Sequence, residues 1–512
     1  MLPSLAAAAM RVVIRSLVSM LNRRSFLSGA IAASLPLAAQ PVKRPNILFC
    51  IDDDWGHQHA GAYGCTWVKT PNFDRIAREG VLFTNAFTSN PKCSPCRATI
   101  LTGRNTWQLK EAISHFSIFP NEFAVYPDVL EKAGYFVGMT GKGWGPGDYQ
   151  STGWPHNPAG KEFQNRTHKP PYNGISNRDY AANFEDFLGQ RPAGAPFCFW
   201  FGGQEPHRAY EQGSGLRAGR DPKAVTVPKY LPDHPTVRGD LLDYALEVEW
   251  FDTHIGRALK KLEEIGELDN TLIVCTSDHG MPFPRVKGQI YEDGFHIPLA
   301  VRWGAQVKGG RVVDDFINTR DFAPTFCEAA GIPAATTMTG KSFAGILKSE
   351  KSGAVDESRN VMLVAKERHD LGRPNDAGYP VRAMRTRDYL YVRNYEPDAW
   401  PAGNPETGYR NVDDSPTKTL LISGFDNYYR MSFGKRPSEE LYDMRADKEC
   451  LHNLAADPKL AQVKRKMLEN MEEMLRGEGD PRMLGRADFF DTIRYTGPRK
   501  HSYDEWLKNN RP

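Results

Sequence analysis

Cys93 opens a run of fixed spacing: Cys93-Ser94-Pro95-Cys96-Arg97, then Thr102-Gly103-Arg104. A Cys-x-x-Cys pair suits redox chemistry or half of a zinc site. No second Cys or His pair lies nearby, which argues against a zinc knuckle. Elsewhere the chemistry-bearing residues sit where apolar runs stop. Asp52, Asp53 and Asp54 follow the run 47–51, and Asp278-His279 follow the run 271–276. Lys142 follows a weaker run, His207 lies in Glu205-Pro206-His207-Arg208, and Lys287 precedes Tyr291-Glu292. Taken singly, each has a plain explanation. An aspartate after a strand is a turn or cap residue, a lysine is solvated, and His279 is a surface histidine. Taken together, oxygen ligands suit a hard divalent cation such as calcium or magnesium rather than zinc. Lysines and a histidine beside that cation suit an anionic substrate.

Something must bring these residues to one place. Ile47-Leu48-Phe49-Cys50-Ile51 and Phe197-Cys198-Phe199-Trp200-Phe201 are continuous apolar runs, as expected of strands covered on both faces. Tyr135–Thr140 reads as a strand after a helix ending near Gly134, and Thr271–Thr276 reads as another. Between them, Asp243–Ile265 carries Leu246, Phe251, Ile255, Leu259 and Leu262 near a helical period. Strand, helix, strand repetition predicts an α/β fold with a mainly parallel sheet flanked by helices. In such sheets ligands bind beyond the carboxyl ends of the strands, where these residues fall. After about Gly353 the texture changes. Val361–Ala365, Val381–Met384 and Tyr389–Asn394 read as strands without long helices between them, and 458–476 as a charged helix. The expected organisation is a segment 1–41, a catalytic α/β domain 42–352 and a smaller α+β domain 353–512.

The chain has 512 residues and a net charge of +3, which gives no basic face for nucleic acid. Its 45 Gly and 37 Pro suit an enzyme with long site-building loops. Eight cysteines in a chain this long are too sparse for a disulfide scaffold, and Cys50, Cys198 and Cys275 read as buried apolar residues. Near the start, Asn22-Arg23-Arg24-Ser25-Phe26-Leu27 precedes the apolar stretch 28–39. Twin arginines before a short apolar region resemble a bacterial twin-arginine export signal cleaved near Ala39. The implied location is periplasmic or secreted, reached in the folded state, with the twin-arginine translocase as a partner. Met20 is an alternative start.

The Cys93–Arg104 segment resembles the signature of the formylglycine-dependent sulfatases: cysteine, any residue, proline, any residue, arginine, then Thr-Gly-Arg. Pro45 through Asp53-Asp54, Thr70–Asp74, Gly80–Ala86, Ser277–Gly280, Asp321–Thr325 and Glu440–Asp443 are similar to further landmarks of that family. The resemblance implies an alkaline-phosphatase-like fold and oxidation of Cys93 to formylglycine by a cytoplasmic generating enzyme. It implies one divalent cation, calcium by preference, held by Asp53, Asp54, Asp278, His279 and the modified Cys93. Arg97 would anchor the hydrated aldehyde, Lys142 and Lys287 would neutralise the transferring sulfuryl group, and His207 would serve the sulfate or the leaving group. Many members carry a histidine two residues after the lysine of Gly141-Lys142. Trp144 stands there instead, so that role is open; His115 and His369 are candidates by residue type only.

Glu205–Arg208 and Ser277-Asp278-His279-Gly280-Met281-Pro282-Phe283-Pro284 look like segments of the heparan N-sulfatase branch. That implies a sulfated glycan substrate, with N-sulfoglucosamine the sharper expectation. Arg208, Trp144, Glu367, Arg368 and His369 are candidate sugar contacts, with ordinary surface charge as the alternative for the charged ones. Three rivals stay open. These are an O-sulfatase acting on glycans or aryl sulfates, a phosphate or phosphonate ester hydrolase of the same superfamily, and a non-catalytic carbohydrate-binding relative.

Overall fold

The computed structural model describes residues 44–500 and 502–510, so the proposed export segment lies outside the described residues. From Arg44 onward the chain forms one continuous unit. Strands β1 (Asn46–Asp52), β2 (Val81–Phe87), β3 (Phe136–Gly141), β4 (Phe197–Gly202), β5 (Thr271–Ser277), β6 (His296–Arg302), β7 (Arg311–Val313) and β8 (Ile317–Asn318) build the large sheet. Their order is β8-β2-β6-β5-β1-β4-β3, with β7 beside β2. Only β6 runs against its neighbours; the other pairings are parallel. The expected mainly parallel α/β sheet is therefore present.

The apolar runs become strands because both faces are covered. Leu48 and Cys50 of β1 point into a core with helices α1 (Pro71–Glu79), α4 (Tyr180–Gln190) and α5 (Pro235–Glu264). Ile47, Phe49 and Ile51 point the other way, against α2 (Cys93–Thr102), α3 (Tyr126–Lys132) and α6 (Phe322–Ala329). Register then aligns the strand ends. Asp52 pairs with Ser277, and Gly141 with Gly202. At Gly141 φ is +71° and a Cβ would come within 1.7 Å of the Gly202 carbonyl oxygen, so glycine is required where the chain turns into Lys142.

A second, antiparallel sheet contains β9 (Val361–Lys366), β10 (Val381–Thr386), β11 (Tyr389–Asn394) and β12 (Glu439–Asp443), in that order. One face packs on α7 (Ala461–Gly477) through Met467, Met471 and Leu475. The other shares a core with Phe87, Phe295 and Phe316 from the large-sheet region. All eight cysteines are free thiols. Among the described residues no helix is long and apolar enough to cross a membrane.

Candidate functional site

The carboxyl ends of β1 and β5 deliver Asp53, Asp54, Asp278 and His279 to one buried point, and the start of α2 delivers Cys93. Cys93 is the first helical residue of α2, and Lys92 before it is extended. Pro95 fits because first-turn N–H groups have no helical partner. The free N–H groups there, with the helix dipole, favour an anion beside Cys93. Cys93 Sγ lies 3.4 Å from His279 Nε2.

Asp53, Asp54, Cys93 and His279 each place one ligand atom within 4.8 Å of the others. The donor chemistry fits a divalent cation. His279 Nδ1 faces the Gly280 carbonyl at 3.1 Å, which assigns its hydrogen to Nδ1 and leaves the Nε2 lone pair facing inward. That lone pair meets Asp54 Oδ1 at 3.0 Å and Asp278 Oδ1 at 3.6 Å. Asp54 Oδ1 is buried without a hydrogen-bond donor. Acceptors that converge without a donor repel one another unless a cation lies between them. Asp54 also holds φ at +74°, a left-handed backbone unusual for a non-glycine residue. Asp278 stands beside this quartet. Its Oδ2 accepts from Arg97 Nε at 2.9 Å and its Oδ1 from the Asp54 N–H at 3.1 Å.

Three cations surround the carboxylates. Arg97 is fully buried and also donates to the carbonyls of Lys142 and Gly143, at 2.8 and 3.2 Å, with Asp53 Oδ1 at 3.4 Å. It thus braces the carboxylates as a bridging cation. Lys142 Nζ bonds Asp53 Oδ2. Lys287 Nζ lies 2.6 Å from Asp54 Oδ2 and 2.8 Å from Asp413 Oδ2. Burial pushes the Asp53 carboxyl up, but Lys142 and Arg97 outweigh it and hold the group well below the usual range. Burial lowers the Lys287 ammonium, but Asp413 and Asp54 raise it well above normal, so its charge is permanent. Burial, then Asp53, pushes the Cys93 thiol up. His207 is half-buried, and its Nδ1 faces the Arg208 carbonyl at 2.5 Å, which leaves Nε2 for a ligand. Burial, then Lys287, lowers its pKa.

The proposed sugar contacts are placed differently. Trp144 is 3% exposed and packs edge-on against Phe119, while its ring N–H donates to the Ser94 carbonyl at 3.0 Å. It props the first turn of α2 and is not a wall open to a sugar. Arg208 spends its guanidinium on Asp240, at 2.8 and 2.9 Å, and on the Pro282 carbonyl. Glu367 is buried between Arg382 and Arg482, each at 2.8 Å. Arg368 donates to the Ile493 carbonyl at 2.6 Å and is buried. These three charges serve the packing of the chain against itself. His369 differs. Its Nε2 bonds Asn90 Oδ1 at 3.1 Å, and its Nδ1 lies 2.9 Å from where a Cβ on Gly288 would sit, next to Lys287. His115 lies in the same quarter, 2.9 Å from Asp370, which also pairs with Lys92 at 3.1 Å.

Two members of the site escape the sequence reading: Lys92, buried beside Cys93, and Asp413, the outer partner of Lys287. Lys92 carried a signal, since it precedes the reactive cysteine. Asp413 lies in the irregular segment 411–415 with no pattern around it.

Comparison with known proteins agrees with this geometry. Residues 45–332 match the family model described as Sulfatase, and residues 283–400 match one described as N-sulphoglucosamine sulphohydrolase, C-terminal. The chain is similar to an ulvan-active sulfatase of Formosa agariphila, 26% identical over 88% of this chain and 78% of the relative. It is also similar to human N-sulphoglucosamine sulphohydrolase, 27% identical over 82% of this chain and 87% of the relative. Its fold matches a solved protein in complex with its substrate D-glucosamine-2-N,6-O-disulfate, with a TM-score of 0.61 and 22% identity, covering 86% of this chain and 99% of the other. A family model that spans more than half of the chain, together with the cysteine, aspartate and lysine constellation it encloses, settles the family: this chain is a sulfatase.

Proposed function

We propose that the protein is an exported hydrolase that removes sulfate from glycans, with N-sulfoglucosamine as its substrate, and that Cys93 acts after oxidation to formylglycine. The observation that carries the reading is the placement of Cys93. It heads a buried helix, 3.4 Å from His279, inside a ring of Asp53, Asp54, Asp278, Arg97, Lys142 and Lys287. Asp53, Asp54, Asp278, His279 and the modified residue 93 would hold a divalent cation, calcium by donor type, which when bound lowers the cost of ionising a hydroxyl there. A hydrated aldehyde offers two hydroxyls. One attacks sulfur; the other lets the sulfated adduct collapse to aldehyde by expelling sulfate, where a plain serine would leave a stable ester. Lys142 and Lys287 hold the sulfuryl oxygens, and His207 serves the leaving group through Nε2.

Three observations support the substrate. The 283–400 match carries the N-sulphoglucosamine sulphohydrolase description, the human relative bears that name, and the solved relative binds a glucosamine disulfate. The ulvan-active relative favours a second reading, an ester sulfate on a polysaccharide. Export rests on Arg23-Arg24 and the apolar stretch after them.

The test is peptide mass spectrometry across Cys93 on protein from its native host, with desulfation of N-sulfoglucosamine followed in parallel. An aldehyde mass with sulfate release supports the reading. An unmodified thiol in active protein sinks it. Cys93→Ala should abolish turnover while the protein, in a chelating buffer, still folds and melts cooperatively, since the side chain is small and its sulfur makes one weak contact, to His279 Nε2 at 3.4 Å.

A further inference from the structure

A file of charges runs from the floor of the site to its mouth: Asp54 is 0% exposed, Lys287 3% and Asp413 27%. Lys287 joins the two carboxylates through Asp54 Oδ2 at 2.6 Å and Asp413 Oδ2 at 2.8 Å. Asp413 Oδ2 is shielded from solvent, which leaves Oδ1 as the oxygen able to meet a ligand. Among the described residues Asp413 makes no other hydrogen bond or ion pair. Burial raises its carboxyl, but Lys287, Lys92 and His207 hold it far below the usual range, so it is an anion in any working buffer. Its contact with Lys287, which holds the sulfuryl oxygens in the proposed reaction, sets it beside the reacting group.

An anion at the mouth of a site that binds anions weakens substrate binding unless the substrate brings a donor or a positive charge to that point. A sulfate ester brings neither at its bridging atom, which is an oxygen. A sulfamate brings an N–H. On cleavage the S–N bond breaks as the new S–O bond to the nucleophile forms. The electron pair stays on nitrogen, the proton of the attacking hydroxyl ends on nitrogen, and the free amine takes a second proton from solvent. A neighbouring carboxylate favours the stage at which nitrogen takes up its protons, because it stabilises the cationic amine. It disfavours the oxygen anion that develops when an ester is cleaved.

We infer that Asp413 is a specificity-determining residue that accepts a hydrogen bond from the substrate nitrogen through Oδ1 and so selects sulfamates over sulfate esters. The inference rests on the N-sulfoglucosamine reading above. The experiment uses the mature full-length enzyme and its Asp413→Asn and Asp413→Ala variants, each checked for an unchanged melting curve. kcat/KM is measured on N-sulfoglucosamine and on 4-nitrophenyl sulfate. The ratio of the two should fall about 100-fold in both variants, the scale of one charge-assisted hydrogen bond. Glucosamine should inhibit the wild type better than N-acetylglucosamine does, and the variants should lose that preference. An equal loss on both substrates would show that Asp413 only holds Lys287, and would overturn the inference while leaving the substrate reading intact. A wild-type enzyme that hydrolyses the ester but not N-sulfoglucosamine would overturn both.

Discussion

Two clusters of buried charge lie in this molecule, and they are built on opposite plans. Under the small sheet, Arg382 is fully buried and its guanidinium is matched on every side. It meets Asp480 at 2.6 and 3.0 Å, Glu367 at 2.8 Å, and the carbonyls of Val381 and Lys366 at 3.0 and 3.3 Å. Glu367 is closed off in turn by Arg482. At the rim of the large sheet the pairing is left open. Asp53, Asp54, Asp278 and Asp413 face Arg97, Lys142 and Lys287, while Asp54 Oδ1 and the His279 lone pair face each other beside Cys93 with no donor to Asp54 Oδ1. Burial of charge therefore does not mark a site by itself. A closed cluster fixes the fold, and an open one is arranged for something the chain does not supply.

The open cluster gives the largest expected effect and the sharpest test of the contrast. Asp54→Asn should reduce kcat/KM by about 10³-fold or more, as expected when electrostatic stabilisation of a reacting centre is removed. Stability should move the other way. In a chelating buffer the asparagine amide can donate to the inward lone pair of His279, 3.0 Å from the present oxygen, and relieve the repulsion between acceptors. The variant should then melt at the wild-type temperature or about a degree higher, which is what about 1 kcal/mol amounts to in a chain of this length. Calcium should raise the melting temperature of the wild type and not of the variant. A variant that melts well below the wild type in chelator would mean that Asp54 is a structural residue and the cluster is closed after all.

The closed cluster should behave in reverse. Arg382→Met leaves Asp480 and Glu367 facing each other without their shared cation, and should cost about 3–5 kcal/mol of stability. Urea denaturation measures this directly. The folded fraction should keep its kcat/KM, because the hydrogen bonds and ion pairs of Arg382 all stay within its own cluster and reach none of the rim residues. A loss of kcat/KM at full folding would place the small sheet in the chemistry and erase the distinction.

Much of the rim was legible in the sequence because buried parallel strands advertise themselves. Four apolar runs became β1, β3, β4 and β5 within a residue or two, and the polar residues past the end of each run stand at the site. Other elements were hidden by tertiary context. Helix α5 begins at Pro235 rather than near Asp243, because its first turns carry Arg238 and Asp240, which read as surface. Asp240 is in fact buried under Arg208 and also accepts from the Thr417 hydroxyl at 2.6 Å, a partner far along the chain. Strand β6 carries Pro298 in a short segment and shows no alternation. Glu367, Arg368 and Arg208 read as sugar contacts or surface charges, since their partners Arg382, Ile493 and Asp240 come from other elements. Trp144 reads as a ligand wall because its spacing to Lys142 is visible and its bond to Ser94 is not. Asp413 has no local signature at all. Only the fold brings it to Lys287.

The smallest effect concerns a buried group between the two plans. His59 follows Asp53 and Asp54 in sequence, is 8% exposed, and pairs through Nδ1 with the Tyr244 hydroxyl at 3.0 Å. Burial lowers its pKa to about 4 from an ordinary 6.5. The folded state therefore binds its proton less readily than the unfolded state does. Its contribution to stability is complete above pH 6.5 and is lost as the pH falls through about 4, by up to about 3 kcal/mol across that window. His59→Gln keeps a polar partner for Tyr244 and carries no titrating group. Its urea stability should fall less steeply than the wild type's between pH 6.5 and 4, and the two should differ little in slope at pH 8. Parallel slopes across the acid range would show that His59 is protonated without cost in the fold, and that the loop after Asp54 is as open to solvent charge as the cluster it leads from.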